Sequence, residues 1–292
     1  MANTIWAFAT AGVAAPTLFE ATAAEASTRL HDFNSQEIAN TVWAFAAAGV
    51  AAQTLFEAIA REALGRLSTF NSQNMANTVW AYATAGVAAP TLFEHVAREA
   101  LGQLREFDQQ AMANTVWAFA TAGVAAPTVF EAIAREAIGR LRDFSSQGLA
   151  NTVWAFVTAG VAALTLFDAI AGEALGRLRD FNSQQMANVV WAFACIGWTQ
   201  SQIFLEFGAA LEDIENELTD TDKVQLYQVA LHVRTTWPDL AFPLLPILES
   251  LRAAYVKREP RPSQFQRDVS AILAWAGWSH TVEHATEESI SL

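Results

Sequence analysis

The stretch ANTVWAFATAGVAAPTVFEAIAREAIGRLRDF, residues 113–144, returns along the chain with few changes and decides the fold. Its tryptophan recurs at a constant spacing of 37 residues, with no insertion between copies. A period of this length is typical of stacked supersecondary units. The six copies are Trp6, Trp43, Trp80, Trp117, Trp154 and Trp191.

The first half of each repeat carries the signals of a short helix. Asn71 is a good N-cap, and Phe70 and Met75 are spaced as a hydrophobic staple around it. Gly86 stands where a helix C-terminus needs a left-handed residue. The spacing predicts a helix of about 14 residues. The N-cap position varies only among Asn, Asp and Ser, at Asn34, Asn71, Asp108, Ser145 and Asn182.

A second helix follows in APTLFEHVAREALGQLREF, residues 89–107. It begins either with a capping box formed by Thr91 and Glu94 or with Pro90 as its first residue. Glu94 and Arg98 are spaced i, i+4 and are expected to pair, as are Glu57 with Arg61 and Glu131 with Arg135. No strand pattern appears in the repeat.

The sequence therefore predicts an all-α protein, an α-solenoid of tandem 37-residue helical-hairpin repeats over residues 1–208, followed by a helical C-terminal region. After Phe204 the repeat pattern decays. We expect helices over 219–233 and about 242–257, a Pro-rich linker over 257–262 and a capped helix over 263–277. Residues 209–262 thus form a helical tail and linker.

Charge and hydropathy limit the classes of function. The chain has 30 acidic residues against 17 Lys and Arg, a net charge of -13, so nucleic-acid binding needs a local basic patch. Residues 38–56 carry no charge and approach the length of a membrane span. Because they contain Asn, Thr and a helix-stopping Gly, they favour a buried helix pair, and we expect no membrane insertion.

Three segments resemble one family, in the family's order. FNSQNMANTVWAYATAG, residues 70–86, resembles the repeats of octotricopeptide-type proteins of algae and other protists, and TDTDKVQLYQVALHV, residues 219–233, is similar to the stretch after such arrays. Residues 263–292 resemble the lead-in to a RAP domain, as in proteins related to the Fas-activated kinase-like RNA regulators. The repeat is one residue shorter than is usual in the family, and the chain ends before the RAP core is expected.

The resemblance implies an RNA-binding protein of organellar RNA processing, stability or translation, in the mitochondrion or chloroplast. Its partner would be single-stranded RNA of organellar transcripts, with no DNA expected. Met1 aligns with Met75, so the chain begins inside a repeat and a targeting segment is expected upstream. The alternative, favoured by the acidic balance and the uniform repeats, is a protein–protein interaction scaffold without RNA binding.

A repeated asparagine is the first candidate site. An asparagine can pair with a base edge through its donor and its acceptor. It can also form a ladder of hydrogen bonds with its own copies, which the sequence favours. A helical wheel places Trp80 on the apolar side and Asn77, Thr78 and Ala81 on the other. The tryptophans could stack on bases, but at helical spacing with Val and Phe they are expected in the core. The asparagines are Asn40, Asn77, Asn114, Asn151 and Asn188.

A basic stripe near the end of the second helix is the second candidate. It would contact the RNA backbone, or it is a solvated face with cations near a helix C-terminus, which the sequence favours. The asparagines are identical in every copy and could read only a uniform ligand, whereas the positions of Arg105, Arg142 and Arg179 vary between repeats. The arginines are Arg66, Arg105, Arg140, Arg142, Arg177 and Arg179.

Catalytic motifs are nearly lacking. HTVEH, residues 280–284, matches a zinc-peptidase pattern, but no third ligand or catalytic domain follows, so a chance match is favoured. No Ser-His-Asp arrangement, P-loop or dinucleotide fingerprint appears. The sequence therefore predicts no enzyme, no metal and no cofactor.

Overall fold

The computed structural model describes residues 1–240 and 242–257, which form helices and no strand. The all-α, helical-repeat prediction is confirmed. The chain divides into two compact units, residues 1–181 and the part from Asn182 onward. The first holds α1 (Ala2–Thr10), α2 (Pro16–Arg29), α3 (Ser35–Ala47), α4 (Gln53–Leu64), α5 (Ser72–Ala85), α6 (Pro90–Gln103), α7 (Gln109–Thr121), α8 (Pro127–Ile138), α9 (Ser146–Thr158) and α10 (Leu164–Gly176). The second holds α11 (Ser183–Cys195), α12 (Gln202–Asp213), α13 (Asp220–Thr236) and α14 (Leu248–Lys257).

Each repeat is a helical hairpin, whose first helix we call A and whose second we call B. The A helices begin and end where the sequence predicts. The Asn71 side chain accepts from the backbone N–H of Asn74 at 2.8 Å, which caps α5. Gly86 ends α5 with φ of 65°, and Val87 N–H donates to Tyr82 C=O at 3.0 Å. These bonds satisfy the free backbone groups at both helix ends.

The B helices begin at proline where one is present. Pro90 is the first residue of α6, and no side-chain hydrogen bond caps this helix, so the Thr91–Glu94 capping box is wrong. Proline suits this place because its φ is already helical and its missing N–H would have had no partner.

Adjacent repeats interlock through buried aromatic rings. In the first unit, a phenylalanine of the B helices α2, α4, α6 and α8 meets an aromatic ring of the next A helix edge to face. The Phe93–Phe119 centroids lie 5.0 Å apart and those of Phe56 and Tyr82 5.1 Å apart. Such pairs contribute about 0.5–1.5 kcal/mol each beyond the burial of their area. The A helices also pack closely on one another, more so than the B helices do.

In the second unit, α13 begins in the same 37-residue register as α11. Thr219 caps α13 as Asn182 caps α11, each with a capping box. The helix predicted over about 242–257 begins at Leu248, so its predicted start is wrong. Pro243 and Pro246 explain the delay, because the residue before a proline disfavours helical backbone.

The structure bears on the membrane prediction, whereas the predicted domain limits and the C-terminal predictions stay untested. Residues 38–56 are divided between α3 and α4, and no helix of the described chain is long and apolar enough to span a membrane. The domain limits at residues 208 and 262 stay predictions. Nearly all of the 257–262 linker, the 263–277 helix, the RAP-like region over 263–292 and the HTVEH motif lie outside the described residues.

Candidate nucleic-acid interface

One narrow side of each A helix in the first unit is open to solvent. In α5 the open residues are Gln73, Asn77, Trp80 and Thr84, at helical spacings of i, i+4, i+7 and i+11. Neighbouring A helices cover both flanks and B helices cover the back. We call this surface the A face. Its members are Gln36, Asn40, Trp43 and Ala47 in α3, Gln73, Asn77, Trp80 and Thr84 in α5, Gln110, Asn114, Trp117 and Thr121 in α7, Gln147, Asn151, Trp154 and Thr158 in α9, and Asn3, Trp6 and Thr10 in α1.

The polar side drawn by the helical wheel is therefore too broad. Thr78 and Ala81 are fully buried, and the Thr78 hydroxyl donates to Asn74 C=O at 2.7 Å. A wheel separates a buried side from an open side, whereas an A helix is covered on three sides. The glutamines of the A face were missed for this reason, although they stand four residues before each asparagine.

The tryptophans form a row on the A face and are not core residues, so that prediction is wrong. Trp43, Trp80, Trp117 and Trp154 are half-buried, and Trp6 is 42% exposed. Successive ring centroids lie 6.3 Å apart for Trp6–Trp43, 5.9 Å for Trp43–Trp80 and 6.3 Å for Trp80–Trp117. From Trp6 to Trp117 each indole covers its neighbour in part, and every tryptophan of the row leaves an aromatic edge or face open to a ligand.

The asparagines of the A face do not form the ladder that the sequence favours. In the described part of the first unit, the side chains of Asn40, Asn77, Asn114 and Asn151 make no hydrogen bond to protein, and each is half-buried. Asn188, in the second unit, does have a partner, because its side-chain oxygen accepts from Gln225 Nε2 at 3.2 Å. Four amides of the first unit thus keep their donors and acceptors for solvent or a ligand.

A cavity of about 510 Å³ opens on the A face. Trp43, Trp80, Asn114 and Asn151 line it. Its size falls within the roughly 300–1,000 Å³ that is usual for ligand sites. The carboxylate of Asp108 at its edge caps α7, accepting from Ala111 N–H at 2.7 Å. Asp143 also lines the cavity, which therefore offers indole rings, amide groups and two carboxylates to a ligand.

Three of the six candidate arginines close their own hairpins. Arg140 donates to Phe107 C=O at 2.8 Å and pairs with Glu136 at 3.5 Å. Arg177 donates to Phe144 C=O at 2.9 Å and pairs with Glu173 at 3.4 Å. Arg66 donates in the same way to Phe33 C=O and pairs with Glu62 at 3.3 Å. These arginines join the end of a B helix to the start of its A helix.

The carboxylates predicted to pair on the B helices do not. No ion pair of the described chain joins Glu94 to Arg98, Glu57 to Arg61 or Glu131 to Arg135, and these side chains are exposed. The pairs that form lie one turn later, where a backbone carbonyl also holds the arginine. An exposed pair gains little because two long side chains must be ordered in water.

The other three candidate arginines are exposed and have no ion pair among the described residues. Arg105, Arg142 and Arg179 lie in the short 3₁₀ turns Leu104–Glu106, Leu141–Asp143 and Leu178–Asp180. These turns border the starts of the A helices. We call Arg105, Arg142 and Arg179 the arginine rim.

Two hydrogen bonds fix the rim beside the A face. Ser72 at the start of α5 donates to Glu106 C=O at 3.0 Å. Gln109 at the start of α7 donates to the Asp143 carboxylate at 3.3 Å. Each bond joins an A helix to the turn of its own hairpin, so the rim follows the edge of the A face.

The A face and its edge differ in charge. The five A helices of the first unit contain no Lys or Arg and a single acid, Glu37, which serves a capping box. The A face has no ionisable side chain, so it can stack and hydrogen-bond but cannot transfer protons. The described residues hold no cluster suited to a metal ion. Positive charge available to phosphates lies at the arginine rim.

The perturbed ionisable groups lie elsewhere. Burial raises the pKa of Tyr82, whose hydroxyl donates to Phe56 C=O at 2.6 Å in the core of the first unit. Burial lowers the pKa of His232 in α13, which contacts the rings of Phe204 and Trp237. Both shifts arise from packing.

Comparison with known proteins gives one family. No curated protein matches the chain. The family model of the RNA-editing substrate-binding complex 6 protein matches residues 1–122 and again residues 68–230. The two overlapping matches span the helical repeats and cover more than half of the chain. The chain therefore belongs to the RNA-editing substrate-binding complex 6 protein family.

Proposed function

We propose that this chain binds single-stranded RNA along the A face of its first unit. The observation that carries the proposal is the row of half-exposed tryptophans, each beside an asparagine without a protein partner. Base–aromatic stacking contributes about 1–3 kcal/mol per base, and amide groups recognise the edges of unpaired bases. The family name, which refers to an RNA-editing substrate-binding complex, supports an RNA ligand.

The arginine rim supplies the backbone contacts in this proposal. Arg105, Arg142 and Arg179 are exposed and recur with the repeat, so each can meet a phosphate of a strand that follows the A face. We assign no such role to Arg66, Arg140 and Arg177, because their guanidinium groups donate to backbone carbonyls of their own hairpins. Since the A face repeats the same residues, it favours a strand whose successive bases are alike.

The wider setting is also a proposal. We propose a part in mitochondrial RNA processing, since the family is one of RNA editing and nothing in the comparison favours the chloroplast. The chain would act by binding and not as an enzyme. The octotricopeptide and RAP resemblances give finer hypotheses, which agree with the helical hairpins but do not follow from the family match.

RNA affinity in matched variants tests the proposed surface. We expect Trp80→Ala combined with Trp117→Ala to weaken binding of a short single-stranded RNA by about a hundredfold, because two stacking platforms are lost. Leu101→Ala with Ile138→Ala is the control, since these side chains are also apolar and exposed but lie on B helices. Equal loss in both variants, or no loss in the first, would rule out the A face.

A protein partner is the second candidate, and grooves on the B side favour it. One groove of about 490 Å³ lies against Phe45 and Leu55, and another of about 420 Å³ lies against Phe156 and Leu166. The second is lined also by Leu164, an exposed leucine that replaces the usual proline. The two candidate functions are compatible, because RNA would bind the A face and a protein would bind the B side.

A further inference from the structure

The second unit contains one Asn–Trp pair that is already occupied. Asn188 and Trp191 of α11 stand where Asn77 and Trp80 stand in α5. In the next A helix, α13, glutamines replace both residues of the pair, 37 positions on. Gln225 Nε2 donates to Asn188 Oδ1 at 3.2 Å, and Trp191 Nε1 donates to Gln228 Oε1 at 3.0 Å.

These two bonds show what an Asn–Trp pair can recognise. The asparagine oxygen accepts a hydrogen bond and the indole N–H donates one. The pair is therefore complementary to a group that carries an N–H and a carbonyl oxygen. In the second unit the protein supplies both from the carboxamides of Gln225 and Gln228.

The same pair recurs unoccupied in the first unit. In the described part of the first unit, neither the asparagine side chains nor the indole N–H groups of these pairs have a protein partner. The next A helix, where there is one in this unit, carries another Asn–Trp pair instead of glutamines, and its shorter asparagine carboxamide makes no hydrogen bond to the pair before it. The pairs are Asn3 with Trp6, Asn40 with Trp43, Asn77 with Trp80, Asn114 with Trp117 and Asn151 with Trp154.

We propose that Gln225 and Gln228 bind the Asn188–Trp191 pair in the way that a ligand binds the unoccupied Asn–Trp pairs of the first unit. The part of the ligand that binds is the edge of a base in which an N–H group is next to a carbonyl group. Uracil and guanine have such an edge, whereas adenine has no carbonyl and the amino group of cytosine is separated from its carbonyl by a ring nitrogen. The inference rests on the proposed function and narrows its substrate class to runs of keto bases.

A designed copy of the occupied pair tests this proposal inside the first unit. Asn114 and Trp117 of α7 are the counterparts of Gln225 and Gln228. In the variant Asn114→Gln/Trp117→Gln, the new carboxamides should form hydrogen bonds with Asn77 and Trp80 of α5, the preceding A helix. Asn114→Ala/Trp117→Ala is the matched control, because it removes the α7 pair but leaves the α5 pair open. Thermal unfolding of both variants establishes that they fold.

The probes are short single-stranded RNAs of about ten nucleotides, one made of U and G and the other of A and C. Wild type should bind the U/G strand about tenfold more tightly. On that strand the alanine variant should lose about tenfold, and the glutamine variant about a hundredfold because two pairs are lost. Equal losses in the two variants, or no preference of wild type between the strands, would overturn this inference and leave RNA binding intact. Absence of wild-type binding to either strand would overturn the proposed function with it.

Discussion

The arginine rim makes a quantitative prediction about salt. Each cation that neutralises a phosphate of a single strand contributes about −0.7 to the slope of log affinity against log salt concentration. Arg105, Arg142 and Arg179 are the rim, so three contacts give a slope of about −2. A fourfold rise in salt should therefore weaken wild-type binding about 20-fold. Replacing all three arginines by glutamine should bring the slope close to zero, measured by fluorescence anisotropy of a labelled RNA.

A control of equal charge is available on the B helices. Arg61, Arg98 and Arg135 are exposed and also recur with the repeat, but they lie on the B helices and outside the 3₁₀ turns of the rim. Their triple replacement by glutamine removes the same charge and should leave the slope near −2. If both triple variants lower the slope equally, net charge and not the rim governs binding, and the placement of the strand beside the A face is refuted.

Three further predictions concern the stability of the fold. Arg140→Ala should lower the free energy of unfolding by about 1–2 kcal/mol in urea titration, because Phe107 C=O loses its donor, whereas the exposed neighbour in Arg142→Ala should change it by less than about 0.5 kcal/mol. Phe130→Ala should cost about 3–5 kcal/mol, since it empties a fully buried site against Phe156; a cost under about 1 kcal/mol would contradict the packing. Burial lowers the pKa of His232, so as the pH falls the unfolded chain binds the proton before the folded chain does. The contribution of this group to stability is therefore complete above its ordinary pKa of 6.5 and is lost as the pH falls through the lower folded-state pKa. His232→Phe should reduce this acid sensitivity in melts recorded between pH 7 and pH 5, and an unchanged pH profile would show that another group is responsible.

The sequence predicts the helical boundaries well because local chemistry sets them. An N-cap accepts from an amide three residues away, and a left-handed glycine is needed wherever an A helix turns into its loop. These constraints operate within a few residues, so Asn71 and Gly86 could be assigned without tertiary information. The start of α14 shows the same principle, since Pro243 and Pro246 act on the residues next to them and delay the helix to Leu248.

The candidate site was harder to predict because its exposure depends on neighbouring repeats. Trp80 is a large aromatic residue with apolar neighbours in the sequence, as core residues usually are. Only the arrangement of three surrounding helices leaves it at the surface. Arg140 and Arg142 are two residues apart and equally basic in sequence. One closes a hairpin and the other is free, a difference decided by a carbonyl 33 residues away. The sequence pattern identifies both arginines but does not show which of them bonds within the fold and which is exposed.

The most direct test of the account is photocrosslinking of bound single-stranded RNA to the protein, followed by mass spectrometry of the crosslinked peptides. The account predicts crosslinks in α3, α5, α7 and α9, centred on the tryptophans of the A face, with further contacts at the 3₁₀ turns of the arginine rim. Crosslinks confined to the B helices or to the second unit would contradict it.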